Sequence, residues 1–160
     1  MKIWILYDSK FGNNKMIAET LETAMKGENE VHVAYAKKIS PKKVLADAPD
    51  ALLFGGPLRA GMISFTIKGW ATKMAKLLLG KGIKLQKVAA WGTHGVNTPE
   101  TPPKFAWEGI EPKWKALRDQ VPAEKTVQEL CGIAVEGMKG PMEADWQDKV
   151  AQFVDQFNNL

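Results

Sequence analysis

Met1-Lys2-Ile3-Trp4-Ile5-Leu6-Tyr7-Asp8-Ser9-Lys10-Phe11-Gly12-Asn13-Asn14 decides how this chain folds. Met1 to Tyr7 has the apolar content of a buried strand. Asp8 to Asn14 is a tight loop of small hydrogen-bonding residues, and an amphipathic helix follows, with Met16, Ile17, Leu21, Ala24 and Met25 at helical spacing and Gly27 as its stop. A strand, a short polar loop and a helix N-terminus together make an anion site. The first helical turn has N–H groups without intrahelical partners and the positive end of the helix dipole. Lys10 adds a full charge beside them, so a phosphate-bearing ligand is the first expectation.

The same alternation continues along the chain. Val31 to Ala36 has strand periodicity, and Ser40-Pro41 reads as the N-cap and first residue of a short helix reaching about Ala46. Ala51 to Phe54 is a short apolar strand stopped by Gly55-Gly56-Pro57. A helix is expected from Ser64 to Leu79, ended by Gly80, with Phe65, Trp70, Met74, Leu77 and Leu78 on its buried side. Val88 to Trp91 is a fourth strand, broken by Gly92. An irregular stretch with Pro99, Pro102, Pro103 and Pro112 leads to a helix containing Trp114 and Leu117, then to a fifth strand from about Glu129 to Val135. The last helix runs from about Met142 to Phe157. Strands alternating with helices imply an α/β fold, a three-layer, doubly wound sandwich around a five-stranded parallel sheet. No repeat or linker divides residues 1–160, which are expected to form one domain.

Composition narrows the function. The net charge is +4, with lysines spread along the chain rather than interleaved with aromatics as in a nucleic-acid module. No nucleic-acid or membrane partner is expected, and a mildly basic surface favours acidic partners. The first strand starts with no leader before it, and the single cysteine, Cys131, suits a reducing compartment, so the expected location is cytoplasmic. His32, His94 and Cys131 have no zinc-ligand spacing, and no protein-bound metal is expected.

In doubly wound sheets, ligands bind beyond the carboxyl ends of the strands. Three loops meet there: Ser9 to Asn14, Pro57 to Ile63, and Thr93 to about Phe105. No carboxylate ends strand three as a phosphoacceptor would require, and no Gly-x-Gly-x-x-Gly follows strand one.

These loops resemble those of the flavodoxin-like family over nearly the whole chain. Ser9-Lys10-Phe11-Gly12-Asn13-Asn14 is similar to the family's FMN-phosphate loop, with Asn14 where threonine is common. Gly55-Gly56-Pro57-Leu58-Arg59-Ala60-Gly61 resembles the loop along one side of the flavin ring, and Trp91-Gly92-Thr93-His94-Gly95 stands where the other flavin-side loop belongs. Gly137 to Glu143 also looks like the ending of small flavodoxin-domain proteins. The chain departs from the family in its basic charge and in a phosphate loop without threonines. The resemblance implies strand order 2-1-3-4-5, FMN as cofactor, and a cofactor site of Ser9, Lys10, Phe11, Gly12, Asn13, Asn14, Pro57, Leu58, Arg59, Ala60, Gly61, Thr93, His94 and Gly95.

It also implies roles. Ser9 and Asn14 would donate side-chain hydrogen bonds to phosphate, and Gly12 would let the backbone approach; without a ligand, Asn13 would be a plain N-cap. Thr93 and Gly95 would face the pyrimidine edge. His94 either stacks on the ring or is an exposed loop residue, and Arg59 either balances negative charge or is a solvated arginine. Trp91 ends a strand at the predicted mouth, whereas Trp70, Trp114 and Trp146 have core spacing. The implied function is electron transfer to a redox partner protein with an acidic docking surface, by a monomer or dimer. An FMN-dependent NAD(P)H reductase of quinones or other small acceptors, and a flavin-free binding or regulatory protein of this fold, are the alternatives.

Overall fold

The computed structural model describes Met1–Leu160. Seven strands form one sheet: β1 (Lys2–Tyr7), β2 (Glu30–Tyr35), β3 (Ala51–Arg59), β4 (Met62–Ile63), β5 (Leu85–Gly95), β6 (Ala123–Thr126) and β7 (Cys131–Val135). The order is β2-β1-β3-β5-β6, with β7 also paired to β5 and β4 paired to β3. All pairs are parallel except β3 with β4. The helices are α1 (Asn13–Met25), α2 (Pro41–Ala46), α3 (Phe65–Lys81), α4 (Trp107–Asp119) and α5 (Trp146–Asn158).

Alternation along the strands divides the core into two layers. Ile3, Ile5, Ala51, Leu53, Ala89 and Trp91 point to the α1 and α5 side, against Ile17, Leu21, Phe153 and Phe157. Leu6, Leu52, Phe54, Val88 and Ala90 point the other way, against Ile67, Met74, Leu78, Trp114 and Leu117 of α3 and α4. This is the expected three-layer α/β sandwich. No helix is long and apolar enough to cross a membrane.

The structure revises several boundaries, each for a physical reason. Gly55, Gly56 and Pro57 do not end the third strand. β3 runs on to Arg59 and folds back through Ala60-Gly61 into β4 as a two-residue hairpin. Both turn residues have positive φ, 51° at Ala60 and 73° at Gly61, the backbone of a type I′ turn. Gly92 does not break the fourth strand either, because Trp114 lies against its α-carbon and a side chain there would meet the indole at 2.4 Å. Gly80 stays within α3, and Gly82 in the left-handed conformation caps it. Pro112 lies inside α4. The expected fifth strand is β7; β4 and a further short strand before it, β6, bring the sheet from five strands to seven, and β6 and β7, separated by a break at 127–130, pair with the two halves of β5. Buried Arg118 fills the break, its Nη1 donating to the carbonyls of Val127 at 2.9 Å and Gln128 at 3.0 Å. The last helix begins at Trp146, while Met142 makes a bridge with Val135.

Candidate functional site

At the carboxyl ends of β1, β3, β5 and β7 lies a cleft of about 530 Å³, within the range of small-ligand pockets. Of the expected site residues, Ser9, Lys10, Phe11, Asn13, Asn14, Pro57, Leu58, Arg59, Ala60, Thr93, His94 and Gly95 line it. Gly12 and Gly61 do not. Gly12 is instead the N-cap of α1, at φ 96° in the left-handed region, and this turn needs a glycine. Gly61 is pressed against Phe105, whose ring a side chain at position 61 would meet at 2.5 Å.

The N-terminus of α1 leaves its first N–H groups without partners. No side chain caps it, and the N–H groups of Asn13, Asn14 and Lys15 have no acceptor within the protein. Asn13 is therefore a first-turn residue rather than the cap. The Ser9 hydroxyl oxygen accepts from the Gly12 N–H at 3.1 Å, which pins the loop and leaves the Ser9 O–H to donate. Lys10 lies beside Phe11, and Lys139 approaches the same ring from the β7–α5 connection, at 5.4 and 5.9 Å from its centroid.

At the base of the cleft, three side chains expected to act separately form one network. The Trp91 Nε1–H donates to Asn14 Oδ1 at 3.0 Å, and Asn14 Nδ2 donates to Thr93 Oγ1 at 2.9 Å. Asn14 and Thr93 are buried and Trp91 is fully so, which corrects its placement at the mouth. Gly55, opposite Trp91 in the β3–β5 register, leaves room for the indole.

On the hairpin side, Arg59 Nη2 lies 3.3 Å from Asp8 Oδ2, which also accepts the Ser64 hydroxyl. Asp8 is fully buried, so much of the charge of Arg59 is balanced from within the fold. His94 is half-buried near the end of β5 and lines the cleft, so it is not an exposed loop residue. Its ring stacks on Trp107 with centroids 4.9 Å apart, and its Nδ1 is 2.7 Å from the Gly95 carbonyl. Burial holds its imidazole below the ordinary value of 6.5.

Sequence reasoning missed the fourth wall, made by Val135, Gly137 and Met138. The rule that ligands sit beyond strand ends applies to the last strand as well, so the signal was present. Trp107 gave no such signal, because it meets His94 across the proline-rich stretch between β5 and α4. Away from the cleft, Glu30, His32 and Asp47 bring ligand atoms within 4.8 Å of one another, but the Lys2 ammonium is 3.1 Å from Asp47 and 3.7 Å from Glu30. That cluster is an ion-pair network at the sheet edge. Cys131 is buried, and burial pushes its thiol up to about 12, as suits a packing residue.

No protein-family model matches the chain, and a search of curated proteins finds no match in sequence. Solved structures do match. Oxidised flavodoxin 2 from Bacillus cereus aligns with a TM-score of 0.69 and 21% identity over 99% of both chains. A point mutant of flavodoxin from Pseudomonas aeruginosa aligns with a TM-score of 0.70 and 15% identity, again over 99% of both. A flavodoxin, WrbA-like protein from Agrobacterium tumefaciens gives 0.68 and 18% over 99% of this chain and 95% of that one. The chain has a flavodoxin-like fold.

Proposed function

We propose that this protein binds FMN and transfers electrons in the manner of a flavodoxin. The observation that carries the proposal is the uncapped N-terminus of α1, with three unpaired N–H groups, opening onto a cleft large enough for a ring system on a flavodoxin-like fold. The residues present suit the group. Helix N–H groups, the Ser9 O–H and Lys10 offer donors and positive charge to a phosphate. Leu58, Ala60, Val135 and Met138 offer apolar surface to a ring.

Bound FMN supplies the redox chemistry, and the chain's own residues bind and orient it. The α1 terminus and Ser9 hold the phosphate. The β3–β4 hairpin, tied to the phosphate loop through Arg59 and Asp8, forms one wall, and the end of β5 forms the floor. The chain carries a net charge of +4, and Lys10 and Lys139 lie beside the exposed Phe11 of the cleft, so the expected redox partner has an acidic docking face. A basic setting makes an anionic reduced flavin less costly, so the potential for forming it is expected to be less negative than in an acidic flavodoxin.

The test is electron delivery by FMN-loaded protein. After photochemical reduction it should reduce an acidic protein acceptor such as cytochrome b5, while oxidising neither NADH nor NADPH in steady state. Rapid NAD(P)H oxidation would replace the carrier with a reductase, and failure to pass electrons to any acceptor would refute electron transfer.

A further inference from the structure

We propose that Thr93 is a fixed hydrogen-bond donor into the cleft, set in that sense by Trp91 through Asn14, so that the site selects a ligand presenting an acceptor at this point. The inference rests on the FMN reading only for the identity of the ligand.

The direction follows from what each group can do. An indole N–H donates and has no acceptor capacity, so the Asn14 atom 3.0 Å from Trp91 Nε1 must be the carbonyl oxygen. The carboxamide is thereby oriented, and its NH₂ faces Thr93. At 2.9 Å, Nδ2 donates and Thr93 Oγ1 accepts. The hydroxyl hydrogen of Thr93 then has no partner in the protein, while Thr93 itself lines the cleft. All three residues are buried, so water competes little for these bonds, and successive donors in one direction polarise one another.

The neighbours of Thr93 reinforce the assignment. It lies opposite Pro57 in the β3–β5 register, and proline has no N–H to offer the cleft. An acceptor on the ligand therefore meets the Thr93 O–H, whereas an N–H directed at the same point meets another donor. On a flavin, the edge carrying a carbonyl oxygen and an unprotonated ring nitrogen suits this position, and the protonated ring nitrogen does not.

This gives Asn14 a different task from the one its place in the phosphate loop suggests. One of its N–H groups is committed to Thr93 and its oxygen to Trp91, so Asn14 is a positioning residue for Thr93. The two roles predict different ligand dependence. A phosphate donor matters to FMN and not to riboflavin, while a residue acting through Thr93 matters to both.

The experiment measures FMN and riboflavin affinities by flavin fluorescence for wild type, Thr93→Val, Thr93→Ser and Asn14→Asp. Losing one hydrogen bond, Thr93→Val should weaken both ligands by about tenfold. Thr93→Ser keeps the hydroxyl and should stay within about threefold of wild type, a shift of at most about 0.65 kcal/mol. Asn14→Asp still accepts from Trp91 but has no N–H to give, so the Thr93 hydroxyl turns back to it, and riboflavin as well as FMN should bind at least about tenfold more weakly. Unchanged affinities in Thr93→Val, or losses confined to FMN in Asn14→Asp, would overturn the proposal. If wild type binds neither flavin, the FMN reading fails and the apoprotein decides the relay. The Trp91 indole proton, assigned by its absence in Trp91→Phe, should resist solvent exchange in wild type and Asn14→Asp and exchange faster in Asn14→Leu. Equal exchange in all three would overturn the relay.

Discussion

Replacing Gly55 by alanine should destabilise the protein severely, because the added methyl group falls on Trp91. A β-carbon at position 55 would lie 2.1 Å from both Cδ2 and Cε2 of the indole. Carbon atoms in contact normally sit at about 3.5–4.0 Å, so strand and ring would have to separate by roughly 1.5 Å. The ring cannot swing into solvent, since Trp91 is fully buried and bonded to Asn14 at 3.0 Å. Overpacking of a dense core costs about 1–3 kcal/mol. Breaking the indole–carboxamide bond leaves buried polar groups unpaired, at about 1–3 kcal/mol more. Together the loss is about 4 kcal/mol, a large share of the roughly 5–15 kcal/mol that folded domains possess. For a chain of 160 residues this corresponds to a Tm lower by roughly 8–16 °C. Urea denaturation followed by far-ultraviolet circular dichroism measures it, with Gly80→Ala as the control. Gly80 lies within α3 and a β-carbon there meets nothing, so alanine should stabilise by roughly 0.5–1 kcal/mol. A Gly55→Ala protein within 1 kcal/mol of wild type, at an unchanged denaturant slope, would refute this packing argument (roughly the lower bound of the overpacking range).

Three further outcomes are expected. Ala60 holds φ 51° in the hairpin turn, a conformation that costs an alanine about 1–2 kcal/mol, and asparagine tolerates it better; Ala60→Asn should raise stability by about 1 kcal/mol, and a lower Tm would contradict the type I′ assignment. Arg118→Met should lose about 3 kcal/mol in the same denaturation assay, because it strips a buried cation from the Val127 and Gln128 carbonyls at the strand break, and a neutral effect would show that β6 and β7 do not need it. His94 titrates below 6.5, so beneath that pH the unfolded chain binds more protons than the folded one. Its contribution to stability is full above 6.5 and declines as the pH falls towards the folded-state value. His94→Gln should remove this part of the pH dependence, and an NMR titration midpoint at or above 6.5 would contradict it.

Much of this architecture could be read from periodicity. Ile3 and Ile5 against Leu6, and Leu52 and Phe54 against Leu53, alternate between two buried faces, and the sequence shows that they do. The polar strand β6 was not legible, because Ala123-Glu124-Lys125-Thr126 lies at a sheet edge where no second face must be apolar. The glycines of β3 and β5 read as breaks because their purpose is steric: Gly55 and Gly92 make room for Trp91 and Trp114, partners that local sequence does not reveal. The cleft was legible in the three loops that carry small polar residues. The hidden parts were pairings between side chains on separate elements, Asn14 with Thr93, Asp8 with Arg59, and His94 with Trp107.

The measurement that bears most directly on the central claim is a titration of the purified apoprotein with FMN, followed by quenching of flavin fluorescence, with riboflavin in parallel. The anion-ready terminus of α1 predicts saturable quenching by FMN at one site and distinctly weaker binding of riboflavin, which lacks the phosphate. Equal affinity for the two flavins would contradict the phosphate site, and no quenching by either would contradict flavin binding altogether.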